Sequence, residues 1–192
     1  MTIRKATTND VDSIAPILLL VLEKIVYTFI GENDYTKAKE FLIYFLNRGN
    51  NQYSYQNCYV AERDDEIIGV ANLYNGSDLE QLRQPVLEYI DQHYATDLHI
   101  EDETQKGEYY IDTIAVKSNE QGNGVGSQML QHLINEYMAN KKQTLGLLVN
   151  ENNPNAKKLY LKMGFASVGK KKLLGHQLDH LQIKGEHLII NQ

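Results

Sequence analysis

Three observations predict an α/β fold. A strand-like run breaks into a glycine-rich loop and reopens as an amphipathic helix, a short charged turn joins two apolar strands, and helix-period stretches flank both. Residues 109–116 are rich in β-branched and aromatic side chains and alternate as a strand does. The loop Gln121-Gly122-Asn123-Gly124-Val125-Gly126 follows, and the helix after it places Met129, Leu130, Leu133, Ile134 and Tyr137 at helical spacing. Residues 58–62 and 66–73 read as strands around Arg63-Asp64-Asp65, an antiparallel hairpin.

Taken in order, residues 2–6 form a first strand and Thr7 or Thr8 caps a helix, with Asp10 completing a capping box. That helix carries Ile14, Ile17, Leu18, Val21, Leu22 and Ile25 on a broad apolar face. Asp34 caps a second helix with Phe41, Leu42, Phe45 and Leu46 inward, ending near Arg48-Gly49. After the hairpin, residues 76–107 are too long for a structureless connection and read as an insertion with its own helix through Leu79, Leu82, Val86, Ile90 and Tyr94, which Pro85 kinks or restarts. The insertion serves either as a lid over a substrate site or as a surface decoration. The strand 109–116 and the loop lead to a helix over 126–140, a strand over 144–149, and a helix from about 155 to 163 closed by Gly164. Further strands are expected around 166–174 and 187–190, with 178–184 undecided. The whole chain, 1–192, is expected to be one domain.

Composition removes several functions. With 192 residues the chain buries about 70% of its unfolded surface and needs no staple. A lone Cys58 excludes an intrachain disulfide and a cysteine-rich metal site, points to a reducing, cytoplasmic setting, and reads as a small core residue. Nineteen basic against 25 acidic side chains give a net charge of −6, with no general basic field for nucleic acid. Lys170, Lys171 and Lys172 read as a solvated turn or strand end, and Lys141-Lys142 as a helix end complementing the dipole. Residues 14–30 are apolar but are interrupted by Pro16, Glu23 and Lys24, so no membrane span is expected. His176, His180 and His187 show no metal-ligand spacing, so no metal is expected.

The glycine loop sets the chemistry. Glycines between a strand and a helix leave backbone N–H groups uncovered at a helix N-terminus, where the dipole favours a phosphate or pyrophosphate; the alternative is that they simply turn the chain. A Walker loop is excluded, because Gly126 is followed by Ser127 without a lysine. The dinucleotide fingerprint is excluded as well, because the third glycine comes one residue early.

The loop positions Gln121, Gly124 and Gly126, the preceding Ile114-Ala115-Val116, and Asn153-x-x-Ala156-x-x-x-Tyr160-x-x-x-Gly164-Phe165 downstream together resemble the GNAT superfamily of acyl-CoA N-acyltransferases. The order β-α-α-β-β, insertion, β-α-β-α-β-β resembles it over most of the chain. The resemblance implies a mixed, mostly antiparallel central sheet flanked by helices, with two parallel central strands splaying around the acyl thioester of acetyl-CoA. It implies that the amides of Gln121, Gly122, Asn123, Gly124, Val125, Gly126 and Ser127 hold the pyrophosphate, that main-chain groups of Ile114, Ala115 and Val116 pair with the pantetheine arm, and that Asn153 and Ala156 stand beside the cofactor. One or more of Lys157, Lys158 and Lys162 would meet the adenosine phosphates, the alternative being that they are solubilising charges on an exposed helix. Tyr160 matches the position whose hydroxyl protonates the leaving thiolate; a packing role is the alternative.

The amine needs a proton acceptor. Asp112 is singled out because an acid inside a central strand is costly to bury; it serves either the acceptor cleft or a structural network. Glu108 is the second candidate; His176, His180 and His187 read as paired strand or loop positions, with a place in the acceptor-cleft lining as the alternative for His180; and Glu101, Asp102 and Glu103 read as solvated loop charge or attraction for a cationic substrate. The expected reaction is direct acetyl transfer to a primary amine in a ternary complex, with a small-molecule or peptide acceptor. A non-catalytic acyl-CoA-binding module is the alternative. A homodimer is admitted, since dimers are common in families of this kind.

Overall fold

The computed structural model describes residues 1–94, 96, 98–141 and 143–184. In chain order the elements are β1 (Thr2–Lys5), α1 (Val11–Ile30), α2 (Tyr35–Leu46), β2 (Cys58–Arg63), β3 (Glu66–Asn75), α3 (Leu79–His93), β4 (Tyr109–Val116), α4 (Val125–Ile134), β5 (Leu145–Asn150), α5 (Pro154–Lys162), β6 (Ala166–Leu173) and β7 (His176–Ile183). The strands form a sheet of order β1-β2-β3-β4-β5-β7-β6. Pairs β1–β2, β2–β3, β5–β7 and β6–β7 are antiparallel and β4–β5 is parallel, the mixed, mostly antiparallel sheet that was expected. The chain divides into two compact units: residues 1–73, 80–98 and 113–129, and residues 74–79, 99–112 and 130 onward.

In the first unit the Thr7 N–H donates to Asp10 Oδ2 at 2.7 Å, and α1 follows a single 3₁₀ turn, Thr8–Asp10. The buried stripe of α1 passes from Ile14, Ile17 and Leu18 to Leu22, Val26, Phe29 and Ile30. Val21, expected inside, is 54% exposed: a broad apolar face leaves open which of its edges a neighbour covers. The segment Thr8–Ile30 proves long and apolar enough to cross a membrane by length and composition, against the sequence expectation, although half of its apolar window is buried as in a core helix. Asp34 accepts the Lys37 N–H at 3.0 Å and starts α2, whose Phe41, Leu42, Phe45 and Leu46 are buried as expected. The β2–β3 turn holds Asp64 and Asp65 at φ of 51° and 61°, the twist that a two-residue hairpin requires.

The insertion supplies α3, which runs unbroken through Pro85; near the proline, the Leu82 carbonyl accepts the Gln52 N–H at 3.1 Å. Val86 and Ile90 are buried, and the Tyr89 ring lies 6.0 Å from Phe41 and 4.2 Å from Tyr44, so α3 belongs to the packed core of this unit.

In the second unit β5 is flanked by β4 and β7, with β6 closing the edge. The undecided stretch 178–184 is strand β7, joined to β6 through Leu174 and Gly175 at φ of 47° and 80°. The strand expected at 187–190, with His187, lies outside the described residues, as does Lys142. The helix expected over 126–140 widens into a π-helical segment, Asn135–Asn140. Its buried pairs Met129/Leu130, Leu133/Ile134 and Tyr137/Met138 recur every four residues, and a wider last turn keeps Tyr137 and Met138 inward where a 3.6-residue turn would rotate them away.

The tail of the insertion also belongs to this unit; Asp102 is exposed as expected, whereas Glu103 and Glu101 depart from the reading of these acids as solvated. Glu103 is 4% exposed and accepts the Tyr74 hydroxyl at 2.7 Å; Glu101 accepts the Leu174 N–H at 2.9 Å and lies 3.7 Å from Lys172 Nζ. Lys171 donates to the Asp102 and Thr104 carbonyls at 3.4 and 3.3 Å, and Lys170 pairs with Glu151, so the three lysines have partners. The driving force is ordinary: buried polar groups are kept only where they find donors or acceptors.

Candidate active site

The glycine loop is held at its stem by ion pairs. Arg63 Nη1 meets Glu120 Oε2 at 2.7 Å, Lys117 pairs with Glu66, and the Lys117 N–H donates to the Ile68 carbonyl at 2.9 Å. Helix α4 closes tightly on β3, since a Cβ at Gly69 would stand 2.9 Å from Met129 Sδ and 3.2 Å from Val125 Cγ1. Within the loop Gly122 and Gly124 take φ of 83° and 79°, a conformation that other residues reach only with strain. The Gln128 N–H closes the first helical bond on the Gly124 carbonyl at 3.0 Å, so the amides of Val125, Gly126 and Ser127 stand ahead of the ladder as the donors a helix N-terminus offers. The Asn123 N–H is directed instead to the Glu120 carbonyl at 3.4 Å, and Gln121 Nε2 donates to the Val116 carbonyl at 3.0 Å. A Cβ at Gly122 would meet nothing within 4 Å.

On β4, Ala115 is buried while Ile114 and Val116 are half-buried. The parallel register runs Tyr109↔Leu145, Tyr110↔Gly146, Ile111↔Leu147 and stops before Asp112, whereas β5 continues against β7 as far as Asn150↔Leu178. Asp112 is half-buried at the first position beyond the ladder and takes part in polar interactions of its own. Strand alternation puts it on the face of Glu108 and Tyr110, opposite Tyr109, whose ring lies 4.7 Å from Tyr137.

In the second unit Asn153 is the N-cap of α5: its Oδ1 accepts the Ala156 N–H at 3.2 Å, and Pro154 fills the first helical position. Tyr160 lies half-buried on this helix, its ring 6.0 Å from Phe165, and the Phe165 N–H returns to the Tyr160 carbonyl at 3.1 Å across Gly164 at φ 96°. Burial alone pushes the Tyr160 hydroxyl above its ordinary pKa, so the phenol keeps its proton at neutral pH. Lys157, one of the phosphate candidates, is committed elsewhere: Nζ lies 2.6 Å from the buried Asp179, and this ammonium, more than the cost of burial, holds the Asp179 carboxyl below its usual range.

Sequence reasoning named Glu108 and His180 separately and missed that they meet. Glu108 Oε2 lies 2.8 Å from His180 Nε2 and accepts Gln182 Nε2 at 2.6 Å, while Oε1 accepts Thr104 Oγ1 at 2.7 Å. Burial would raise the Glu108 carboxyl, yet the His180, Thr104 and Gln182 hydrogen bonds bring it below its ordinary value, so it is an anion. Once residues 176–183 form a strand, alternation puts His180 and Gln182 on one face, but nothing local points to Glu108, 72 residues away.

This architecture is similar to that of known proteins. A structure described as an acetyltransferase is 34% identical, covers 96% of this chain and 99% of its own, and superposes with a TM-score of 0.81. An N-acetyltransferase from Staphylococcus aureus Mu50 is 26% identical over 95% of this chain and 100% of its own, with a TM-score of 0.84. A PaiA N-acetyltransferase from Thermoplasma acidophilum, solved in complex with coenzyme A, shares the fold at 14% identity, with 95% and 98% covered and a TM-score of 0.55. No curated protein matches the chain. Residues 23–165 match the model of the acetyltransferase (GNAT) family, most of the chain including loop, β4, β5 and α5, and the chain therefore belongs to that family.

Proposed function

We propose that this protein is an N-acetyltransferase that moves acetyl from acetyl-CoA to a primary amine by direct attack in a ternary complex. The observation that carries the reading is the loop: left-handed Gly122 and Gly124 followed by the Val125, Gly126 and Ser127 amides at the start of α4. Such amides suit a pyrophosphate, and the family relationship makes that pyrophosphate the one in coenzyme A. Backbone groups of Ile114, Ala115 and Val116 would add the pantetheine arm as an extra strand. Asn153 has given its oxygen to the helix and keeps its amide N–H groups for the arm.

Chemistry follows from proton bookkeeping. An ammonium must shed one proton to become a nucleophile and a second as the amide forms, while the thiolate takes one up. Tyr160, neutral and half-buried, is the acid for the thiolate. Asp112, just past the end of the β4–β5 ladder, is the carboxylate on the acceptor side. The overall acidity of the chain supports a cationic acceptor such as a polyamine or aminoglycoside, with a peptide N-terminus or lysine as the other class. Tyr160→Phe is expected to lower kcat about 100-fold with coenzyme A affinity unchanged by calorimetry; unchanged turnover would remove Tyr160 from the mechanism.

A further inference from the structure

We infer that His180 is the base that takes the first proton from the attacking amine, with Glu108 as the buried positioning residue behind it; the inference rests on the acetyltransferase reading. Three features of the second unit point this way. The parallel ladder stops after Ile111↔Leu147, and the next residue of β5, Leu148, is paired across the sheet with His180. Cross-strand partners share a face, and alternation along β4 and β5 puts Glu108, Tyr110, Asp112, Gly146 and Leu148 on that face with His180 and Gln182. The backbone of His180 thus lies one strand spacing, about 5 Å, from Leu148, the first residue of β5 beyond the parallel ladder.

Second, the tautomer is fixed. Glu108 is an anion that can only accept, so the 2.8 Å contact requires a proton on His180 Nε2, and in the neutral ring the lone pair is then on Nδ1. Third, the carboxylate is held rigidly: Thr104 Oγ1 and Gln182 Nε2 occupy its remaining positions, and Gly146 supplies the room. A buried carboxylate behind an imidazole stabilises the imidazolium that forms when Nδ1 accepts a proton. Other charged groups nearby are Lys171 on β6, directed to the Thr104 carbonyl at 3.3 Å, and Asp179, which points to the other face of β7 and is neutralised by Lys157 from α5.

The balance closes as follows. The ammonium N–H bond breaks toward His180 Nδ1; the amine nitrogen bonds to the thioester carbon; the C–S bond breaks as Tyr160 protonates the sulfur; the second amine proton restores Tyr160. The imidazolium proton leaves to water once the product departs.

The test is kcat for thiol release from acetyl-CoA between about pH 5 and about pH 10 with spermidine, kanamycin, free lysine and an alanyl peptide, in wild type, His180→Gln and Glu108→Gln. Wild type is expected to lose kcat on the acid side through one ionisation. His180→Gln should lower kcat about 100-fold and abolish that limb, with coenzyme A affinity unchanged. Glu108→Gln should lower kcat about 10-fold and move the limb to lower pH, because losing the anion makes the imidazole less basic. Should a variant not fold, nitrogen-15 spectra of the wild-type imidazole decide: a proton on Nε2 supports the assignment and a proton on Nδ1 overturns it. Turnover with the acid limb intact in His180→Gln overturns the base and leaves the acetyltransferase standing; absence of thiol release from every amine removes both.

Discussion

A Cβ at Gly146 would lie 1.9 Å from Glu108 Oε2 and 2.5 Å from Cδ. Because three donors already fix that carboxylate, the clash cannot be relieved by a simple rotation. Gly146→Ala is therefore expected to cost about 3 kcal/mol in urea unfolding, the upper range for overpacking. Asp10 makes a second residue-level case. Arg4 donates to both of its oxygens at 2.8 and 2.9 Å, and this hydrogen bonding, ahead of the opposing cost of burial, holds the carboxyl at about 2. A depressed carboxyl contributes stability that is full above its unfolded value near 4 and is lost as pH falls through its folded value. Asp10→Asn should then cost about 1 kcal/mol at neutral pH, discounted because Arg4 is a third exposed, and the difference from wild type should fade between about pH 4 and about pH 2 in thermal melts.

Among the elements, the strand, loop and helix around Gly124 were legible because their signals are local: left-handed glycines and period-two alternation do not depend on the rest of the chain. Gly126 separates folding from binding. It is helical, and a Cβ there would meet only Val116 Cγ2 at an ordinary 3.6 Å, so Gly126→Ala should leave stability unchanged or raise it by about 0.5 kcal/mol. If the amide at this position faces a pyrophosphate, the same change should weaken coenzyme A binding about 10-fold by calorimetry; unaltered affinity would count against the close approach. Strand β7 was not legible for the opposite reason. Its Asp179, His180 and Gln182 look like surface residues until Lys157 and Glu108 are brought to them by α5 and the approach to β4, contacts more than 20 residues away in sequence. The exposed edge of α1 at Val21 likewise depends on neighbours, not on periodicity.

For the molecule as a whole, the sheet order and the match over residues 23–165 agree with the family resemblance that loop and helix spacing had suggested. The proposed donor side was readable because a pyrophosphate is met by backbone amides, and the left-handed Gly122 and Gly124 leave that signature in the sequence. The proposed acceptor side was not, because it is assigned to side chains from β4 and β7, where Glu108 and His180 are buried by tertiary packing. The central claim is amine acetylation at the expense of acetyl-CoA. Purified protein with acetyl-CoA and the amine panel should release free thiol in an amine-dependent manner and give an acetylated amine by mass spectrometry. Tight coenzyme A binding with no amine-dependent thiol and no acetylated product would contradict the account and leave a binding module in its place.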